Sequence, residues 1–240
     1  PPLPVFDTLN KQVRDQVHFA ILNGDWLYEQ RRDYPPKSWL HQVGLNSMKE
    51  APKIVQKSPS IVGVWENYKV YLEHGRNLSE WHRHVPSFYT ADDHELVNDI
   101  YGAGEVGYVN RRAVFRDIGT RAWFDYLAWS NPVEHSAKAW FGTGQFKKGS
   151  DILEDPNANF TKLNYKELAN LHVHWGTPTA GVPDAKLDAQ PGNPNAAVYE
   201  IAEVISPTKV RINPPAKADG SATYSIGRRC YGKFTVGNCD

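Results

Sequence analysis

The sequence predicts an α/β fold with a β-rich C-terminal appendage, and three observations carry that expectation. A helix-periodic stretch runs into the apolar segment HFAILN and then the polar turn GDWLYE. A second apolar segment, VPSFY, ends in the acidic run ADDHE. Late in the chain, the segments AAVYEIAEVIS, TKVRIN, ATYSIG and GKFTVG follow one another, with PPAKADGS as a turn. Helix, strand and polar turn in that order suit a sheet whose ligands collect beyond the carboxyl ends of its strands, whereas short successive strands suit an antiparallel unit.

Taken in order, Phe6, Leu9, Val13 and Val17 are spaced three and four apart, which predicts a helix from Phe6 to Val17 with Asp7 or Thr8 as N-cap. HFAILN has the length of a buried strand. Residues 31–60, with RRDYPPKSW and KSPS, are rich in Pro and charge and predict surface loop. Residues 61–84 predict two helices broken at Gly75 and Asn77, and Val85 to Tyr89 a second strand. Asn110 to Trp129 predicts an amphipathic helix with Val114, Ile118, Ala122 and Tyr126 on one face. Ser150 to Asn164 predicts polar loop, Leu171 to Trp175 a short strand, and GTPTAGVPDAKLDAQPGNPN a long connection. The expected division is an α/β portion over residues 1–150 and a β-rich insertion or appendage over 151–240.

Composition narrows the function classes. The 240 residues carry 27 Lys plus Arg against 27 Asp plus Glu, and no basic run forms a phosphate-backbone stripe, so nucleic acid is not an expected partner. No apolar run approaches the ~20 residues that span a bilayer. The start, PPLPVFDTLN, has neither an initiator Met nor a signal pattern, as expected of a mature or excised piece. Cys230 and Cys239 allow one local disulfide or two free thiols. Eight Trp and twelve Tyr suit either a packed core or a cleft lining. No GxSxG nucleophile elbow occurs.

Three places could carry chemistry. A Gly before Asp25 at a strand end lets the backbone turn sharply and aim a carboxylate into the crevice, although GD is also a common turn. Tyr28 could bring a phenol oxygen to the same side, or sit at a core or rim position. Asp92, Asp93, His94 and Glu95 form the second place. Crowded acids around an imidazole repel unless a cation or proton relieves them, and a metal-bound carboxylate beside a His suits phosphoryl chemistry. The alternative is an N-cap, with Asp92 or Asp93 capping a helix that begins at His94. Asn98 and Asp99, one turn on, could add oxygen ligands or remain solvated. His172 and His174 in LHVHWGT form the third, two apart and so on one side of a strand, where they could chelate zinc. That segment resembles the zinc strand of α-type carbonic anhydrases, but no later His supplies the third ligand, and carbonic anhydrase is set aside. His82 and His84 are expected as surface or interface groups.

HFAILNGDWLYEQ, VPSFYTADDHELVNDIYGAG and NRRAVFRDIGTRAWFDYLAW together resemble the PhoD-type alkaline phosphatases of the calcineurin-like metallophosphoesterase superfamily, over roughly residues 5 to 135. The ordered pair GDxxY then DDHE carries the likeness. The resemblance implies a partial αββα sandwich and metal-dependent hydrolysis of phosphate monoesters or diesters. It also implies a binuclear centre of Fe3+ with Ca2+, or with Zn2+ as another candidate, and a secreted or periplasmic protein. Asp25 would bridge the metals, Tyr28 and Asp93 would be further metal ligands, and His94 would be the catalytic group that contacts phosphate and protonates the leaving oxygen. Asn98, Arg111 and Arg112 are assigned to binding the small phosphate ester. The family also draws ligands from an earlier strand and from later strands that find no counterpart here, so the chain is expected to be an internal or truncated portion. A module without catalysis, binding a glycan or cell-surface partner, is the alternative.

Overall fold

Pro4 at the first helical turn starts α1 (Pro4–Gln12), which continues through a single 3-10 turn, Arg14–Gln16, to β1 (Ala20–Asn23). The computed structural model describes residues 3–96, 105–107, 109, 114–128, 131, 139–164, 168–174 and 192–228. Helices α2 (Pro36–Gln42), α3 (Lys53–Lys57), α4 (Ile61–His74) and α5 (Arg76–His84) lead to β2 (Ser87–Thr90). The two strands pair in parallel, with Ala20 opposite Ser87 and Asn23 opposite Thr90. Both therefore end at the same edge, which places the turns after Asn23 and Thr90 side by side.

Residues 31–60 are not a surface loop. They hold α2 and α3, and they bury Trp39, Leu40 and Val55 against Ile61, Val62 and Tyr68 of α4. Pro35 and Pro36 open a helix here rather than break one, because proline at the first turn forfeits only an amide that has no helical partner. Three anchors, each contributing ~1.5–3 kcal/mol on full burial, outweigh the polar and charged residues between them. The break between α4 and α5 falls at Gly75, where a Cβ would lie 2.4 Å from the Tyr71 carbonyl oxygen. Asn77 lies inside α5. Helix α6 (Val114–Tyr126) closes this part, with Phe115, Ile118, Ala122 and Trp123 in the core.

The rest forms a closed six-stranded barrel in the order β3-β4-β7-β6-β5-β8. Its strands are β3 (Trp140–Phe146), β4 (Ile152–Glu154), β5 (Leu168–Val173), β6 (Ala197–Ser206), β7 (Lys209–Asn213) and β8 (Gly220–Arg228). Its interior is filled by Phe146, Leu153, Leu171, Val173, Tyr199, Val210, Ile212, Tyr224 and Ile226, and closure leaves these strands no open edge. The expected loop at 150–164 contains β4 and a 3-10 turn whose Phe160 is fully buried in that interior. GKFTVG, Cys230, Cys239 and most of the long connection lie outside the described residues. Among the described residues the parallel sheet has two strands, so these residues show mixed α/β content and a closed barrel and do not by themselves make up an αββα sandwich.

Helix α6 packs against the outer face of the barrel, and the period of two in a strand decides which groups meet it. Leu171 and Val173 point inward; His172 and His174 point outward and are covered. On α6, Asp117 is buried, with Oδ2 3.0 Å from His172 Nδ1 and accepting the Ser225 hydroxyl at 2.7 Å. Arg116 holds Asp117 Oδ1 through Nε at 3.1 Å and Nη2 at 3.0 Å. Burial would raise the Asp117 carboxyl, but the charges of Arg116 and His172 and the hydrogen bonds outweigh it and hold it well below the usual carboxylate range.

Candidate metal centre

Beyond Asn23 the backbone enters the left-handed region at two successive residues, Gly24 (φ 74°) and Asp25 (φ 51°). A Cβ at Gly24 would sit 2.5 Å from Asp92 Cβ and 2.6 Å from Asp92 N, so only glycine lets the two turns approach this closely. Aspartate tolerates the left-handed conformation better than most residues, but a non-glycine there is still uncommon and clusters at functional sites.

Glu95 locks the two turns together. Its carboxylate, in a residue with no exposure, accepts the backbone N–H of Asp25 at 3.1 Å, Trp26 at 2.5 Å and Asp92 at 2.8 Å. From the other side the buried Arg32 donates Nη1 to the Leu96 carbonyl and Nη2 to the His94 carbonyl, both at 2.7 Å. Buried Asn67 on α4 fixes residues 28–31. It accepts the N–H of Gln30 (2.8 Å) and Arg31 (2.9 Å) and donates to the Tyr28 carbonyl (2.7 Å). Helix α6 presses on the same turn, since a Cβ at Gly119 would meet Leu96 Cα at 2.6 Å.

This frame brings Asp25, Asp93 and His94 together, one ligand atom from each, all within 4.8 Å of one another. The set of two carboxylate oxygens and an imidazole nitrogen suits a hard or borderline cation. Tyr28 stands beside it, its hydroxyl 3.4 Å from Asp25 Oδ2 and its ring centroid 4.0 Å from that of His94. The Asp25 charge, with some desolvation and the hydrogen bond to the same carboxylate, raises the Tyr28 phenol above its ordinary value. His94 Nδ1 lies 2.7 Å from Glu29 Oε2. Partial burial lowers the imidazole, but the bond and charge of Glu29, with the charges of Asp93 and Asp25, prevail and leave it above its ordinary value.

Of the acids expected to crowd one imidazole, Glu95 turns away into backbone amides, which removes its share of the repulsion without any cation. Residues 93–96 form a turn closed by the Leu96 N–H on the Asp93 carbonyl at 2.8 Å, where a helix beginning at His94 was the alternative. Asn98, Asp99, Arg111 and Arg112 lie outside the described residues. His172 and His174 share a side, but His174 has both ring nitrogens 3.0 Å from hydroxyls, Nδ1 from Thr223 and Nε2 from Ser225. His172 reaches across to Asp117 of α6, while His174 bonds side chains of β8 within the barrel wall. His82 is half-buried, contacting Tyr89 and Trp26, whereas His84 is a surface group. Local pattern gave no sign of Glu29, Arg32 or Asn67, whose partners lie 36–65 residues away.

A family model of PhoD-like phosphatases matches residues 2–173. The chain belongs to the PhoD-like phosphatase family. A phosphatase-type function in general follows for this PhoD-like phosphatase, and both strand ends that build the cluster lie within the match. Comparison with curated proteins and with solved structures gives no match. Among the described residues no helix is long and apolar enough to cross a membrane.

Proposed function

We propose that this PhoD-like phosphatase hydrolyses small phosphate monoesters or diesters at a metal centre organised by Asp25, Asp93 and His94. The convergence of these three residues from the ends of two adjacent parallel strands carries the reading. Asp25 would bridge a pair of cations, with Asp93 and the Tyr28 phenol as further ligands; Fe3+ with Ca2+ is the favoured set and Zn2+ the other candidate. Bound there, the cations supply neutralisation of the ester oxygens and activation of water. Glu29 takes the Nδ1 side of His94, which leaves Nε2 to contact the phosphate and to protonate the departing alkoxide oxygen. Asn98, Arg111 and Arg112 hold the phosphate oxygens, and the protein acts outside the cytoplasm, secreted or periplasmic.

The test is turnover of p-nitrophenyl phosphate and bis(p-nitrophenyl) phosphate by metal-loaded protein. Chelator should abolish it, metal should restore it, and Asp25→Asn should remove it with the fold intact. Folded, metal-loaded protein that turns over neither ester would refute the reading, and glycan or partner binding indifferent to chelator would then favour a module without catalysis.

A further inference from the structure

Between α3, α6 and the barrel's β3 lies a cavity of about 620 Å³. It shares no lining residue with the Asp25–Asp93–His94 cluster. Its size lies within the range of ~300–1,000 Å³ usual for small-molecule sites. Among the described lining residues Lys53, Lys57 and Arg121 stand against the carboxylate of Asp155.

That carboxylate is already committed. Asp155 is buried, its Oδ2 accepting the Tyr224 hydroxyl at 2.9 Å and the Thr143 N–H at 3.3 Å, its Oδ1 the Asn157 N–H at 2.9 Å. Lys57 is half-buried and donates to a neutral partner, the Thr143 hydroxyl, at 2.6 Å. Among the described residues neither Lys53 nor Lys57 has a carboxylate within ion-pair distance. Arg121 uses Nε on Asp125, at 3.0 and 2.9 Å, and among the described residues its terminal amino groups have no acceptor. Phe141, which faces outward from β3, adds aromatic surface, whereas its neighbour Trp140 turns inward onto Phe160.

We propose that this cavity binds a small aryl phosphate or phosphonate. The dianion is held by Lys53, Lys57 and Arg121, and the ring lies against Phe141. Asp125 offsets much of the Arg121 charge, which leaves Lys53 and Lys57 as the two cations of the described lining with no carboxylate within ion-pair distance, and a dianion matches that pair. Charge-assisted hydrogen bonds to a partly buried ammonium are the stronger kind, and the Phe141 ring favours an aryl group over a bare anion.

The proposal is independent of hydrolysis at the cluster, and calorimetry on the full chain separates the two. Phenylphosphonate, which has no ester bond to break, is titrated into chelator-treated wild type, Asp25→Asn and the pair Lys53→Gln/Lys57→Gln, where glutamine keeps a donor for Thr143. Saturable binding is expected in the first two with affinities within about twofold, and at least about tenfold weaker binding in the lysine pair. Inorganic phosphate should bind wild type at least about threefold more weakly than phenylphosphonate. Should the lysine pair unfold, Arg121→Gln replaces it, with a loss in the same direction. Absence of saturable binding to chelator-treated protein, loss of it in Asp25→Asn, equal affinity for inorganic phosphate, or indifference to the cationic substitutions would each overturn the assignment.

Discussion

Replacing Glu95 separates the role of that acid from the role of the acids beside it. Its carboxylate accepts three backbone N–H groups from two turns, and the residue has no exposure. Hydrogen bonds to a charged group contribute ~1.5–3 kcal/mol each, and three on one carboxylate are not additive, so Glu95→Ala should cost about 3–5 kcal/mol. Glu95→Gln is the sharper perturbation. Oε2 serves Asp25 and Asp92 while Oε1 serves Trp26 alone, so the best glutamine orientation keeps two bonds and turns its NH2 group onto the Trp26 amide. The cost is then one bond plus a donor–donor conflict, about 2–3 kcal/mol. For a chain of this length, ~2–4 °C per kcal/mol gives a fall in Tm of about 4–12 °C for Gln and 6–20 °C for Ala. Urea unfolding with unchanged slope, alongside calorimetric Tm, is the assay. Two variants within about 0.5 kcal/mol of wild type, or Gln at least as damaging as Ala, would refute the clamp.

Three further outcomes follow from the same geometry. Gly24→Ala, at φ 74° and with its Cβ 2.5 Å from Asp92 Cβ, should cost roughly 1–3 kcal/mol in unfolding measurements and weaken metal uptake, because it drives the two turns apart. Asp117→Asn leaves Arg116 and His172 facing a neutral amide at the seam between α6 and the barrel, and should cost about 3–5 kcal/mol by the same assay. Burial lowers His174 to about 3 from 6.5, so its contribution to stability is fully present above the unfolded value and is lost as pH falls through the interval between them. Stability should drop by ~1.4 kcal/mol per pH unit on that account between pH ~6 and ~4. His82, lowered to about 4, acts in the same direction, and a pH-independent urea midpoint across that range would count against both assignments.

Legibility in the sequence followed the range of the interaction. Gly24 and Asp25 after one apolar run, and Asp93 and His94 after another, are local patterns, and they mark where two parallel strands stop. The helix at Val114–Tyr126 was legible because its period of 3.6 is a property of contiguous residues. Two helices within 31–60 were hidden because Pro and charge outnumber the three apolar anchors, and the anchors gain meaning only against α4. Barrel closure was illegible for a related reason. Short strands announce themselves one at a time, whereas the pairing of β3 with β8, Trp140 opposite Ile226, joins residues far apart in the chain. The support of the candidate site is equally non-local: Arg32 and Asn67 look like ordinary loop and helix positions until the carbonyls and amides they hold are in place.

Metal stoichiometry bears most directly on the central claim, that Asp25 and Asp93 hold cations beside His94. Folded wild type, offered Fe3+, Ca2+ or Zn2+ and then dialysed, should retain metal by elemental analysis. The Asp25→Asn/Asp93→Asn pair, with the same circular dichroism, should retain none. Wild type that takes up no ion, or a double variant that keeps the full complement, would contradict it.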